Sequence, residues 1–110
     1  MQYALLAYSP EEPDRESRPI PPALAGRLSD PAVTGWARLH AAESATTMRA
    51  GDTATLLTDG PFIDSKEYLA GLILVEADNL DGALAIAETL LGETRPGTAI
   101  EVRPILAARL

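Results

Sequence analysis

Residues 67–77 read Glu-Tyr-Leu-Ala-Gly-Leu-Ile-Leu-Val-Glu-Ala, and they are the most informative strand in the sequence. A short apolar run between charged residues predicts a β-strand, and its side chains alternate between two faces. Both faces are apolar: one carries Leu69, Gly71, Ile73 and Val75, and the other carries Tyr68, Ala70, Leu72 and Leu74. In an antiparallel sheet one face is commonly left to water, and helices in a chain of 110 residues cannot easily cover both. We therefore expect a second copy of the chain to cover the second face.

The chain before this strand predicts a strand, a loop and a helix. The apolar run from Tyr3 to Tyr8 is typical of a strand buried on both faces. Residues 9–22 carry five prolines among several charges. They predict an irregular loop, because proline removes a backbone donor and fixes φ. Pro21-Pro22 can open a helix that continues through Ala23 to Leu28 and ends at Asp30-Pro31.

A hairpin is predicted in the middle of the chain. Residues 33–40 can be extended, although their pattern is ambiguous. The Thr-rich segments Ala45 to Arg49 and Thr53 to Thr58 then flank Ala50-Gly51-Asp52. We expect Gly51 to supply the positive φ that a tight hairpin loop needs.

The end of the chain predicts a second helix and a last strand. Asn79 can cap the helix, Asp81 lies near the positive end of its dipole, and Gly92 ends it. Six residues fall on one apolar stripe at helical spacing: Leu80, Ala83, Leu84, Ala87, Leu90 and Leu91. Residues 98–105 form the last strand, in which Pro104 is typical of an edge or a strand end. The elements run β, helix, strand plus hairpin, strand, helix, β, in one predicted domain over residues 1–110.

Composition excludes several classes of site. The formal net charge of −7 disfavours binding to a phosphate backbone, so no nucleic-acid partner is expected. The absence of cysteine removes disulfides and thiolate nucleophiles, and the single histidine, His40, cannot build a multi-histidine metal site. The first residues lack a basic region, and no apolar stretch approaches the ~20 residues of a membrane span. A cytoplasmic protein without membrane contact, metal or cofactor is therefore expected.

Several motifs, in their order along the chain, resemble one known family. These are Ala45-Thr46-Thr47-Met48-Arg49, Thr58-Asp59-Gly60-Pro61-Phe62, Lys66-Glu67, the strand Tyr68 to Val75, Asn79-Leu80-Asp81 and Ile100-Glu101-Val102-Arg103-Pro104. Together they are similar to the signature of the DGPF-motif branch of the YCII-related family. The resemblance covers about residues 33–105 and the first strand.

The resemblance implies an α+β, ferredoxin-like βαββαβ unit with an antiparallel sheet, paired as a dimeric α/β barrel. It also implies a bacterial source and no settled activity. More distant YCII relatives include a dehydrochlorinase thought to use a His–Asp pair. Here His40 lies before the hairpin and not on the first helix, so that histidine has no convincing match. The proline-rich stretch before Pro31 also replaces a longer helix that would help roof a pocket on the sheet.

Six residues are candidates for a site, and each also has a plain structural role. Asp59 and His40 are the candidate catalytic residues, as a carboxylate base and a group that titrates near neutral pH. Lys66, Arg49, Arg38 and Tyr68 are the candidate ligand contacts, with Arg gripping an anion and Tyr68 stacking. In the structural alternative, Asp59 locks a turn, the charged groups pair on the surface and Tyr68 packs. Phe62 is expected to anchor the core or an interface.

Two functions of different kinds follow. The first is binding of a small anionic or aromatic metabolite at a sheet–helix pocket, with acid–base chemistry of lyase or isomerase type if the protein is an enzyme. The second is a non-catalytic regulatory or interaction module, linked to transcription through a basic partner protein. A deep cavity lined by Asp59 and an Arg or Lys favours the first function, and a solid core favours the second.

Overall fold

A four-stranded antiparallel sheet organises the computed structural model, which describes residues 1–12, 14–63 and 65–110. Its β-strands and α-helices, with one short 3-10 helix at Ala42–Ser44, are β1 (Gln2–Ser9), α1 (Pro22–Leu28), β2 (Val33–Arg38), β3 (Thr46–Ala50), β4 (Thr55–Asp59), β5 (Tyr68–Glu76), α2 (Leu80–Leu91) and β6 (Ala99–Pro104). Neither α-helix of the described chain has the length and apolar character that crossing a membrane requires.

The strand order β2-β5-β1-β6 gives the sheet its topology. β1 is antiparallel to both neighbours, β5 and β6, and β2 is antiparallel to β5. With one helix after β1 and one after β5, the connections are those of a ferredoxin-like βαββαβ unit. The β3–β4 hairpin is inserted between the second and third strands of that unit and forms a separate two-stranded sheet. The predicted α+β, ferredoxin-like fold is therefore confirmed.

The hydrophobic core lies between one face of the sheet, here called the inner face, and the two helices. Tyr3 pairs with Val75 and Leu5 with Ile73, so four large side chains fill the middle of this face. The helices cover them with Leu28 of α1 and with Ala83, Ala87 and Leu90 of α2, all buried. Small residues at two of these helical positions bring α2 close to the sheet.

The opposite face of the sheet, here called the outer face, is also apolar. Ala4 pairs with Leu74 and Leu6 with Leu72, and all four side chains are only partly buried. The predicted two-faced strand is confirmed, with one correction at its start. A register shift pairs Tyr8 with Leu69, so Leu69 leaves the face of Gly71 and is 39% exposed.

Residues 45–63, which contain the β3–β4 hairpin, are here called the arm. The hairpin lies where the sequence predicts it, but the conformation of its turn differs from the prediction. Gly51 has no positive φ; among the described residues only Gly60 and Gly97 do. The expectation that Gly51 supplies a positive φ was therefore wrong. Glycine is required because a Cβ there would lie 2.3 Å from the Ala54 carbonyl oxygen.

Helix α2 begins and ends where the sequence predicts. The Asn79 side chain accepts a hydrogen bond of 2.9 Å from the Gly82 amide, which satisfies one free donor of the first turn. Gly92 follows the last turn. The predicted apolar stripe is only partly correct, since Leu80 and Leu84 remain about half exposed while Ala83 and Ala87 carry the contact with the sheet.

Candidate functional site

A cavity of about 320 Å³ lies between the inner face and the helices, at the end of the sheet where β1 stops. Its walls come from the sheet, from both helices and from the proline-rich segment, residues 9–22. Most of the lining is apolar and includes Ile20, Leu24, Leu28, Trp36, Leu90 and Ile100. Such a mixture of apolar wall and few polar groups is typical of a small-molecule site.

Small residues at two neighbouring positions of the sheet create this space. They belong to one row, that is, a set of residues paired with each other across adjacent strands. In that row Gly71 pairs with Ala7 on one side and with Arg38 on the other, and Ala7 pairs with Ile100. The neighbouring rows hold large core side chains, whereas Ala7 and Gly71 leave a gap above the sheet. Gly71 also permits a close strand approach, because a Cβ there would lie 2.8 Å from the Ala37 carbonyl oxygen.

Two arginines fasten the proline-rich segment over the cavity. Arg15 of the segment is 8% exposed and donates to the carbonyl oxygens of Leu39 at 2.9 Å and Ala70 at 2.6 Å. Arg38 of β2 donates in return to the carbonyl oxygens of Arg18 at 2.6 Å and Arg15 at 2.7 Å. These reciprocal bonds give an irregular segment a defined path, so that it forms a wall of the cavity.

The charged lining of the cavity is rich in arginine. Arg18 and Arg95 both pair with the carboxylate of Glu12, which neutralises part of their charge. In the described chain, by contrast, Arg15 and Arg38 donate to carbonyl oxygens and have no carboxylate within ion-pair distance. The lining holds four arginines against the two carboxylates Glu12 and Glu93, so it keeps an excess of positive charge in a protein of net charge −7.

The pKa values reflect this crowding of charge. The pKa of Arg38 is lowered, first by burial and then by the neighbouring Arg15 and Arg18. The pKa of Glu12 is lowered below its ordinary 4.5, mainly by the hydrogen bond from Arg18. Arg38 stays protonated at neutral pH because an arginine pKa starts so high. A bound anion would relieve the repulsion among the arginines.

The candidate residue His40 lies outside the cavity. Its Nδ1 is 3.1 Å from the Glu16 carboxylate, and its side chain is 82% exposed. Glu16 also accepts a 2.9 Å hydrogen bond from the Ala41 amide. That bond first, and His40 second, lower the pKa of Glu16. The carboxylate partner of His40 was missed from sequence because Glu16 belongs to an irregular loop with no periodic relation to β2.

Tyr68 lies near His40 and apart from the main cavity. The two residues line a second, much smaller depression of about 10 Å³, together with Arg15 and Ala70. That space is no larger than a water molecule needs.

Three further candidates lie on or near the arm. Asp59 is the last residue of β4 and is exposed. The Arg49 guanidinium lies 5.1 Å from the centre of the Phe62 ring, a cation–π contact, and Lys66 is exposed in the loop before β5. None of them lines the main cavity, so Arg38 is the one predicted site residue that does. Phe62 is 66% exposed and is not a core residue of one chain.

The charged cavity residues that sequence reasoning missed are Arg15, Arg18, Arg95, Glu12 and Glu93. Three of them belong to the proline-rich segment, and the available signal was the density of charges between its prolines. A loop built only to connect elements has no need of two arginines and a carboxylate turned towards the sheet.

The chemistry of this arrangement is that of anion recognition. Guanidinium groups bind carboxylates and phosphates through paired hydrogen bonds, and an apolar surround strengthens them. Within the described residues no three His, Cys, Asp or Glu side chains are grouped so that they could hold a metal ion. The cavity thus offers positive charge and apolar contact to a ligand.

Comparison with known proteins gives two consistent matches. The YCII-related domain matches residues 1–107. An uncharacterized protein of Rhizobium meliloti (strain 1021) is 32% identical over 114 aligned residues, which cover 96% of this chain and 92% of that protein. The narrower branch marked by Asp59-Gly60-Pro61-Phe62 stays a prediction. With a ferredoxin-like sheet and a family match over nearly its whole length, the chain belongs to the YCII-related domain family.

Proposed function

We propose that the protein binds a small organic anion in the cavity, with an apolar body against the sheet and helices and its charged group at Arg15 and Arg38. The observation that carries this proposal is the pair of arginines without a carboxylate partner in the described chain, at the wall of an apolar cavity. Arg15 is 8% exposed, whereas Arg38 is exposed at the wall of the cavity. Burying the unneutralised charge of Arg15 costs free energy, and an anionic ligand would offset that cost.

The size of the cavity limits the ligand. At about 320 Å³ it stands at the lower end of the ~300–1,000 Å³ range of small-molecule pockets. Because a dry cavity of ~150 Å³ holds a benzene molecule, one ring with a short acidic substituent fits this volume. Trp36 and the aliphatic walls supply the apolar contact. The ligand class is therefore a monocyclic aromatic acid or an aliphatic acid of similar size.

Two alternatives are less well supported. A purely regulatory module was expected to have a solid core, and the cavity argues against that, although Asp59 is not part of its lining. Acid–base catalysis needs a group with a pKa near the working pH. Glu12 is a weak base because its hydrogen bond from Arg18 lowers its pKa. Catalytic roles for Asp59 and His40, and ligand contacts by Lys66, Arg49 and Tyr68, remain predictions.

The binding proposal is tested by isothermal titration calorimetry with benzoate, phenylacetate and 4-hydroxybenzoate, using benzamide as the uncharged comparison. We expect at least one acid to bind at least tenfold more tightly than benzamide. Arg38→Met should remove most of that preference for the acid, whereas Arg49→Met on the arm should leave it unchanged. The ratio of acid to amide affinity corrects for any general loosening of the site in Arg38→Met. Equal affinity for acid and amide in the wild-type protein would contradict the proposal.

We further propose that two chains pair through their outer faces. The accessible surface of one chain is 7662 Å², whereas a folded monomer of 11.6 kDa exposes about 5,800 Å². The Cα radius of gyration is 15.5 Å, against about 13 Å for a compact domain of this length. The surplus surface and the apolar Leu6, Leu72 and Leu74 support a homodimer with a large interface.

Sedimentation equilibrium tests the homodimer. We expect a mass of twice 11.6 kDa at micromolar concentration. Leu74→Lys, at the centre of the outer face, should shift the population to monomer, whereas Ala85→Lys on the exposed side of α2 should not. A wild-type protein that stays monomeric at every concentration would overturn the dimer and leave the ligand proposal untouched.

A further inference from the structure

We propose that the arm packs on a second copy of this chain through the face that carries Met48 and Leu57; this inference rests on the homodimer proposed above. The arm is the part of the chain with the most exposed apolar side chains and the least cover of its own. Its occupant is therefore a surface of the partner.

The arm has little to stabilise it within one chain. All five residues of β4 and all of β3 except Thr47 are exposed. An isolated two-stranded hairpin is marginally stable in water, because it lacks a third layer on which to bury a face. A hairpin with this composition therefore needs another surface.

The exposed side chains of the arm are large and apolar. Met48 is 68% exposed, Leu57 67% and Leu56 58%. Phe62 and Ile63, which follow β4, are each 66% exposed. Met48 and Leu57 lie on one face of the hairpin and Leu56 on the other. Large apolar side chains that are exposed this far mark an interaction surface.

One face of the arm fits an interface better than the other. Met48 pairs directly with Leu57, so the two side chains stand together on one face. Thr46 and Asp59 pair at one end of that face, and Ala50 and Thr55 pair at the other. The opposite face carries Arg49, which already lies over Phe62. The Met48–Leu57 face has charge only at its Asp59 end, among the described arm residues.

The surplus surface points to a copy of the chain as the occupant. Leu6, Leu72 and Leu74 of the outer face are partly buried within one chain. Five large apolar side chains of the arm are 58–68% exposed, so the arm contributes to the surplus. In a twofold dimer each arm meets an equivalent place on the other chain, so that both arms are covered at once.

The charge distribution also favours a copy of the chain. The arm contains Arg49, Asp52 and Asp59 and so has a net charge of −1, while the other residues carry the remaining −6 of the total of −7. Two acidic bodies repel each other, and their contact is least unfavourable through nearly neutral surfaces. Interface centres are depleted in charged residues, as this face is.

Analytical ultracentrifugation of matched arm variants tests the inference. Leu57→Asp places a charge on the Met48–Leu57 face, and Thr58→Asp places the same charge on the opposite face of the same strand. We expect Leu57→Asp to weaken dimerisation at least tenfold and Thr58→Asp to change it less than threefold. Equal dimer affinity in Leu57→Asp and wild type would overturn the inference and leave an outer-face dimer standing.

Hydrogen exchange of the unaltered protein gives a second measurement that needs no variant. Backbone amides in residues 45–63 should exchange at least tenfold more slowly at concentrations where the dimer forms than at dilutions where it dissociates. Amides of α2, which packs on its own sheet, should change little and serve as the internal control. Arm amides that stay unprotected in the dimer would show that the second copy does not cover the arm, which would overturn the inference. A protein that never dimerises would overturn the homodimer proposal as well.

Discussion

At the scale of single residues, the cavity depends on Arg15 and Arg38. Arg15 donates to the carbonyl oxygens of Leu39 and Ala70, just after β2 and in β5, and Arg38 donates to two carbonyl oxygens of the proline-rich segment. Four hydrogen bonds therefore tie this irregular loop to the sheet. Bonds from a charged donor are stronger than neutral ones, and Arg presents several donors in a fixed plane. The same two groups supply the positive charge that the proposed ligand requires.

Arg15→Met is expected to destabilise the protein by about 1.5–3 kcal/mol, because two carbonyl oxygens lose a charged donor in a buried place. The measurement is the free energy of unfolding in urea. The matched control is Arg27→Met, which breaks a long pair of 3.8 Å between an exposed arginine and a partly buried Glu93. It should change the free energy of unfolding by less than about 0.5 kcal/mol. Equal effects of the two substitutions would show that Arg15 does not hold the segment.

Glu16 predicts a response to acid. Its pKa is lowered in the folded protein from the ordinary 4.5, mainly by the Ala41 amide and then by His40. A lowered carboxyl pKa stabilises the fold above the unfolded value, and that stabilisation is lost as pH falls from about 4.5 through the folded pKa. The urea midpoint of Glu16→Gln should therefore lie below that of the wild type at pH 6 and approach it as the pH falls below 4.5. A constant difference between the two proteins would contradict the assignment.

At the scale of elements, close approach between neighbours shapes the sheet. β2 and β5 come together at Gly71, where a Cβ would lie 2.8 Å from the Ala37 carbonyl oxygen. The same glycine leaves the space that becomes the cavity. The proline-rich segment is irregular, but hydrogen bonds from Arg15 and Arg38 hold it against the sheet. The arm is a regular hairpin, but most of its residues are exposed.

Gly71→Ala is expected to destabilise the protein by about 1–3 kcal/mol, because the added methyl forces the strands apart. Gly35→Ala on the adjacent strand is the control, since its Cβ would meet nothing nearer than 3.8 Å. Urea unfolding measures both. The Gly71 variant should also bind the acid probes less tightly, because Gly71 lines the cavity. Similar unfolding free energies for the two variants would contradict this account.

Across the molecule as a whole, the acidic net charge opposes the proposed dimer, while the arginines of the cavity favour the proposed anionic ligand. Each copy carries −7, so pairing brings like charges together. The cavity reverses the sign locally because Arg15 and Arg38 have no carboxylate partner in the described chain. Electrostatic repulsion thus opposes the proposed dimer, whereas electrostatic attraction favours the proposed ligand.

Salt should therefore act on them in opposite directions. Between about 20 and 500 mM NaCl, screening should tighten the dimer about threefold or more and weaken binding of the acid probes by a similar factor. Sedimentation equilibrium and calorimetry at each salt concentration measure the two constants. A dimer that weakens with added salt would indicate that attractive charge pairs, and not apolar surfaces, hold the chains together.

The local elements were predictable because neighbours in sequence specify them. The unbroken apolar run of residues 68–75 predicted a strand with two apolar faces, and Asn79 and Gly92 predicted the ends of α2. The turn at Gly51 was placed correctly but explained wrongly, since a close backbone approach and not φ requires glycine there. Family motifs supplied the ferredoxin-like topology, which periodicity alone does not distinguish from other orders of the same strands.

Residue type and short-range spacing specify the strands, the helices, the acidic charge and the two-faced sheet, so these could be predicted. The site could not be predicted, because it depends on contacts between residues that are far apart in the chain. Arg15 meets Ala70 across 55 positions of the chain and His40 meets Glu16 across an irregular loop, and no periodic pattern encodes such contacts. The cavity depends on which rows of the sheet hold small residues under the proline-rich segment, and strand pairing sets those rows. A loop path held by side chains from distant strands exists only once the sheet has formed.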